Sequence, residues 1–126
     1  MIVEWDDVST AVRSARTLLK LGDTRGAANR AHYAMFDAAR AALEKIDPYL
    51  LKAKTHQGIL RNFSKYVIRD QGADQELSRA LRQALAVRIE SDYEGQRLNR
   101  EQVMSLLISM DTFVEAVGRF VGASTP

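Results

Sequence analysis

The chain has no cysteine, and its 126 residues include only two prolines, seven glycines and two histidines. Each scarcity excludes something. Without cysteine there is no disulfide framework and no thiol chemistry. So few prolines and glycines leave little room for long loops. The formal net charge is only +2, which does not suggest a broad basic surface for nucleic acid. A balanced total still permits a local groove of one sign. No apolar run approaches the roughly 20 residues of a membrane-spanning helix. Glu4, Asp6 and Asp7 stand where a secretory signal would place basic and then apolar residues, so the expected location is cytoplasmic. The length suits one compact domain over 1–126, with a flexible tail at about 122–126.

What is present is helical periodicity. Trp5, Val8, Ala11, Val12, Ala15, Leu18 and Leu19 recur at a spacing near 3.6, with Asp6 as the expected cap and Gly22 as the stop. A second helix is expected from about Thr24 to Lys45. Ala27, Ala31, Ala34, Ala38, Ala41 and Ala42 face many directions there, the pattern of a helix with neighbours on more than one side. Pro48 stops it. After a connector over Tyr49–Lys54, Thr55 caps a third helix reaching about Asp70. A fourth runs from Asp74 to about Tyr93. Asn99 and Gln102 have the spacing of a capping box for a last helix over Arg100–Val121. No useful β-type alternation appears. The predicted fold is all-α, an up-and-down bundle of four to five helices. Bundles of this size often dimerise, and the two-sided second helix leaves room for a homodimer.

Candidate chemistry is sparse. In the fourth helix, Leu77, Leu81, Ala84 and Leu85 form an apolar stripe whose continuation reaches Arg88 and, one turn on, Asp92. Two charged residues four apart on a core-facing side are either a structural ion pair or part of a site. Tyr93 follows and could stack on a base. His32 lies in mid-helix beside Tyr33, and His56 begins the third helix. Arg25 and His32, seven apart, share a face of the second helix. Arg61, Lys65 and Arg69 form a basic line, readable as a solvated face or as a contact for phosphate or an acidic partner. No convergent spacing suggests a metal, and no glycine-rich loop suggests a nucleotide phosphate cradle. No cofactor is expected. RNA cleavage needs only a base and an electrostatic stabiliser, which arginine with histidine can supply.

Three segments carry a resemblance: NRAHYAMFDAARAAL (Asn29–Leu43), THQGILRNFSKYVI (Thr55–Ile68) and RIESDY (Arg88–Tyr93). In this order and spacing they resemble the HEPN domain family, and within it the prokaryotic single-domain proteins of toxin–antitoxin modules. The resemblance implies a dimerising four- or five-helix bundle with polar residues near a cleft, here Arg88, Asp92, Tyr93 and Tyr33. Many members are RNases or toxins, and many work beside a minimal nucleotidyltransferase. Others are regarded as nucleotide-binding or as non-catalytic scaffolds. The implied function is one component of a two-protein module, binding such a partner and possibly nucleotide or RNA. The alternatives are a metal-independent endoribonuclease using Arg88 with His32 or His56, and a dimeric structural adaptor. One departure stands out. Catalytic members place a histidine after an arginine and four to six intervening residues on a late helix, whereas the residues after Arg88 read IESDYEGQ. His32 also stands where the family's second-helix pattern has tyrosine.

Overall fold

A computed structural model describes residues 2–91 and 98–123. Among the described residues five α-helices follow one another: α1 Trp5–Lys20, α2 Thr24–Ile46, α3 His56–Asn62, α4 Gln75–Ser91 and α5 Arg100–Val121. Among the described residues there is no strand. A 3₁₀ turn over Pro48–Lys52 links α2 to α3, and α3 runs on without a break into a π-helical segment over Phe63–Arg69. The all-α bundle expected from periodicity is the one observed. None of its helices is long and apolar enough to cross a membrane among the described residues.

The helix ends follow from local chemistry. The Asp23 carboxylate accepts from the Gly26 amide at 2.8 Å and starts α2. Asp47 is extended, as the residue before a proline must be, so α2 stops there. At α5 the full capping box forms, with Asn99 accepting from Glu101 N and Gln102 accepting from Asn99 N. Gly22 adopts φ +83°, a left-handed conformation that closes α1 at no steric penalty. At the start of α1 the expectation fails. Glu4, not Asp6, is the cap residue and makes no side-chain cap bond, while Asp6 and Asp7 lie inside the first turn. Carboxylates there still favour the positive end of the helix.

α2 is the centre of the molecule and packs against every other element. Its composition explains why. Ala27, Ala28, Ala31, Ala34, Ala38, Ala39 and Ala42 are wholly buried, and methyl side chains let neighbouring axes approach closely. The bulk that fills the core comes from elsewhere: Phe63, Phe113, Met110, Ile59 and Val103, with Met35 and Leu43 from α2 itself. Replacing Ala31 with leucine should destabilise the protein by about 1–3 kcal/mol through overpacking. A urea unfolding curve checks this, and an unchanged midpoint would show that the α2 contacts have slack. α2 also holds the chain's beginning. The buried Glu44 carboxylate accepts from the backbone amides of Ile2 at 2.7 Å and Val3 at 3.3 Å.

The apolar stripe of α4 takes a different course from the one its sequence suggests. Leu81, Ala84, Val87 and Ser91 are buried, whereas Leu85 and Arg88 are half-buried. Arg88 therefore flanks the core instead of facing into it. Its long stem can pack while its charged head remains wet.

Candidate functional site

His56, His32 and Arg88 come from three helices and meet in one cleft. The positioning of His56 starts with Thr55, whose hydroxyl accepts from the Gly58 amide at 2.9 Å and caps α3. A side chain at position 58 would press on Ala53 Cβ at 3.0 Å and on Thr55 Oγ1 at 3.1 Å. Glycine thus allows the connector to turn tightly into the helix and fixes His56 at its first position. His32 projects from mid-α2 and is only 3 % exposed. Its ring stacks on Phe36 at a 5.8 Å centroid separation and lies 5.3 Å from His56; Phe36 and His56 are 4.5 Å apart. The three rings form one cluster.

Arg88 closes the group from α4. Its Nη1 lies 3.4 Å from His56 Nε2. A guanidinium can only donate, so Nε2 accepts, which requires a neutral His56 carrying its proton on Nδ1. The electrostatics agree. Burial, then the charge of Arg88, then His56 lower the His32 pKa to about 4. Partial burial and Arg88 lower that of His56 in the same direction. Near neutral pH the site holds two uncharged imidazoles and one cation.

The end of α4 is held in place by a residue from the start of α2. Arg25 donates from Nε at 2.8 Å and from Nη2 at 2.5 Å to the Ser91 carbonyl, and the Ser91 hydroxyl donates to the Arg88 carbonyl at 2.7 Å. Both acceptors are backbone carbonyls of the last described turn of α4. Arg25 does not pair with His32 to form a reaction centre, despite their spacing. It fixes the height of the turn that presents Arg88.

The cleft has a volume of about 660 Å³, and Asn29, Tyr33, Asp37 and Arg40 line it with the three residues above. Tyr33 is 47 % exposed, with the Arg30 guanidinium 5.9 Å from its ring centroid. Asp37 is buried and bonded to Arg40 at 3.3 Å. Burial raises its pKa, against the opposing pull of Arg40. The Asn29 side-chain oxygen is buried without a described partner.

Other expectations fare differently. Asp92 and Tyr93 lie outside the described residues, as do 124–126 of the expected tail, so the described contact of Arg88 is with His56. Arg61, Lys65 and Arg69 are exposed and do not line this cleft. Lys65 lies over the ring of Tyr66, and Arg69 bonds Asp70 at 3.0 Å. Among the described residues no group of three or more His, Cys, Asp or Glu side chains could hold a metal ion. Phe36 and Arg25 acquire their roles only in three dimensions. For Gly58 the Thr-x-x-Gly spacing was the available signal.

The chain is 26 % identical over 93 residues to a candidate toxin of Methanocaldococcus jannaschii, an alignment covering 74 % of this chain and 67 % of that protein. A model of the HEPN domain matches residues 9–120, from the first turns of α1 almost to the end of α5. The match takes in all three residues of the cleft, and the chain belongs to the HEPN domain family.

Proposed function

We propose that the cleft receives the phosphodiester of an RNA strand and cleaves it without a metal, and that the chain is the toxin-type member of a two-protein module. The observation that carries this reading is the approach of Arg88 Nη1 to His56 Nε2. It puts a fixed cation beside a neutral imidazole in an open cleft. As the bound phosphate draws the Arg88 guanidinium off His56 Nε2, that nitrogen takes the proton of a 2′-hydroxyl, and the 2′-oxygen attacks the adjacent phosphorus. Arg88 stabilises the negative charge that grows on the non-bridging oxygens. The bond to the 5′-oxygen breaks, and that oxygen takes a proton from solvent. The products end in a 2′,3′-cyclic phosphate and a 5′-hydroxyl. His32, buried behind His56, holds the ring cluster and with it the orientation of the base. The imidazole missing after Arg88 in sequence is thus supplied from α3.

Family membership and the candidate toxin among its relatives support the two-protein reading. A minimal nucleotidyltransferase is the counterpart it implies, with the chain acting as a cytoplasmic homodimer. The test is incubation of purified protein with single-stranded RNA in excess chelator, followed by analysis of the product ends. Parent protein is expected to leave cyclic phosphates, and Arg88→Ala and His56→Gln to lose cleavage. If Arg88→Ala cuts RNA as fast as the parent, the assignment fails.

A further inference from the structure

We infer that a second cleft, between the 3₁₀ turn and the α3–π helix, is a stacking subsite for the RNA strand that leaves the first; this rests on the RNA reading above. The cavity measures about 520 Å³, and Tyr49, Lys52, Asn62 and Tyr66 are among its lining residues. Tyr49 is 67 % exposed. That leaves at least one ring face open to a planar partner, on a turn made stiff by Pro48. The Lys52 ammonium lies 4.9 Å from the Tyr49 ring centroid, and the Lys65 ammonium lies 5.1 Å from that of Tyr66.

Two aromatic rings, each beside an ammonium, match the chemistry of a single strand. The rings can stack on base faces and the ammoniums donate to phosphate oxygens. Asp47 also lines the cavity, but its carboxylate is engaged with the Tyr49 amide at 3.0 Å. Asn62 donates its side-chain amide to the Leu50 carbonyl at 3.2 Å and braces the turn against the helix.

Residues of one short connector and the helix start that follows it line both clefts. Ala53 lines the second and His56 the first. Three residues of extended chain span at most about 10 Å, so a strand with its reacting phosphate at Arg88 can continue across the connector onto Tyr49. Lys65 of the basic line then contacts the strand through this second cleft.

The test measures binding of labelled 2′-O-methyl oligoribonucleotides, which cannot be cleaved by this route, at lengths of two and eight nucleotides and fixed salt. The parent should bind the octamer more tightly than the dimer. Tyr49→Ala should weaken octamer binding about 5- to 100-fold and leave the dimer unaffected. Tyr49→Phe, which keeps the ring, should bind as the parent does. Lys52→Ala should weaken the octamer and flatten its salt dependence. If Tyr49→Ala and Lys52→Ala both bind the octamer like the parent while Arg88→Ala loses the dimer, the subsite is overturned and the first cleft stands. If the parent binds neither length, the RNA reading falls and the subsite with it. Polyglutamate that binds the parent and is weakened by Tyr49→Ala, with the octamer unaffected, assigns the cleft to an acidic polypeptide and also overturns the inference.

Discussion

Acidification should destabilise this protein, with His32 as a principal cause. Its pKa lies near 4 in the fold against 6.5 for a free imidazole, so between these values the unfolded chain binds more protons than the native one. Stability therefore rises with pH across that window and falls as pH drops through it. The full effect is on the order of 3 kcal/mol, with about 2 kcal/mol already lost at pH 5. His56 acts in the same direction. Asp37 acts oppositely, because its raised pKa favours protonation in the folded state. The clean measurement is thus a difference. Urea unfolding of the parent and of His32→Gln, followed from pH 7 to pH 4.5, should show a much flatter pH dependence in the variant. Equal slopes would mean that His32 is not the group that must charge on unfolding.

Truncating Phe63 should be the most damaging single change in the core. Phe63 and Phe113 are both fully buried, with ring centroids 5.5 Å apart at a 40° tilt. Their contact joins the α3–π helix to α5. Phe63→Ala should cost about 3–5 kcal/mol, from lost transfer energy, a cavity and the aromatic pair. Against a typical total of 5–15 kcal/mol, that leaves a marginal fold. Thermal and urea denaturation should report it, together with faster amide exchange in α5. A loss below about 1 kcal/mol would show that the two elements repack freely.

Much of the bundle was legible from short-range signals. Pro48 and the extended residue before it end α2, and Asn99 with Gln102 begins α5. Both are decided within a few residues. The alanines of α2 announced a helix with many neighbours, and it has them. The course of α4 was harder to read. Ala84 and Leu85 point to different sides, and periodicity alone could not tell that the buried line continues through Val87 and Ser91. The π-helical turn of Phe63–Arg69, which buries Phe63 and Val67, has no local signature. Nothing near Glu44 in sequence marks it as buried, because the two amides it binds belong to Ile2 and Val3.

The candidate site was legible as a set of residues but not as an arrangement. Arg88, His32 and His56 are each unusual choices in the sequence, yet sequence distance keeps them apart, and no histidine follows closely after Arg88. The role of Arg25 was hidden for the same reason. Its partner is a backbone carbonyl 66 residues away, and no residue type marks that.

That long bond between Arg25 and Ser91 bears on the order of events during synthesis. A ribosome releases α2 and α3 well before the last turn of α4. Until Ser91 has emerged and docked, Arg88 has no fixed height and His56 lacks its guanidinium partner. The cleft is therefore completed only once α4 has been made and has docked on α2. A chain stalled before α4 would carry the two histidines without Arg88.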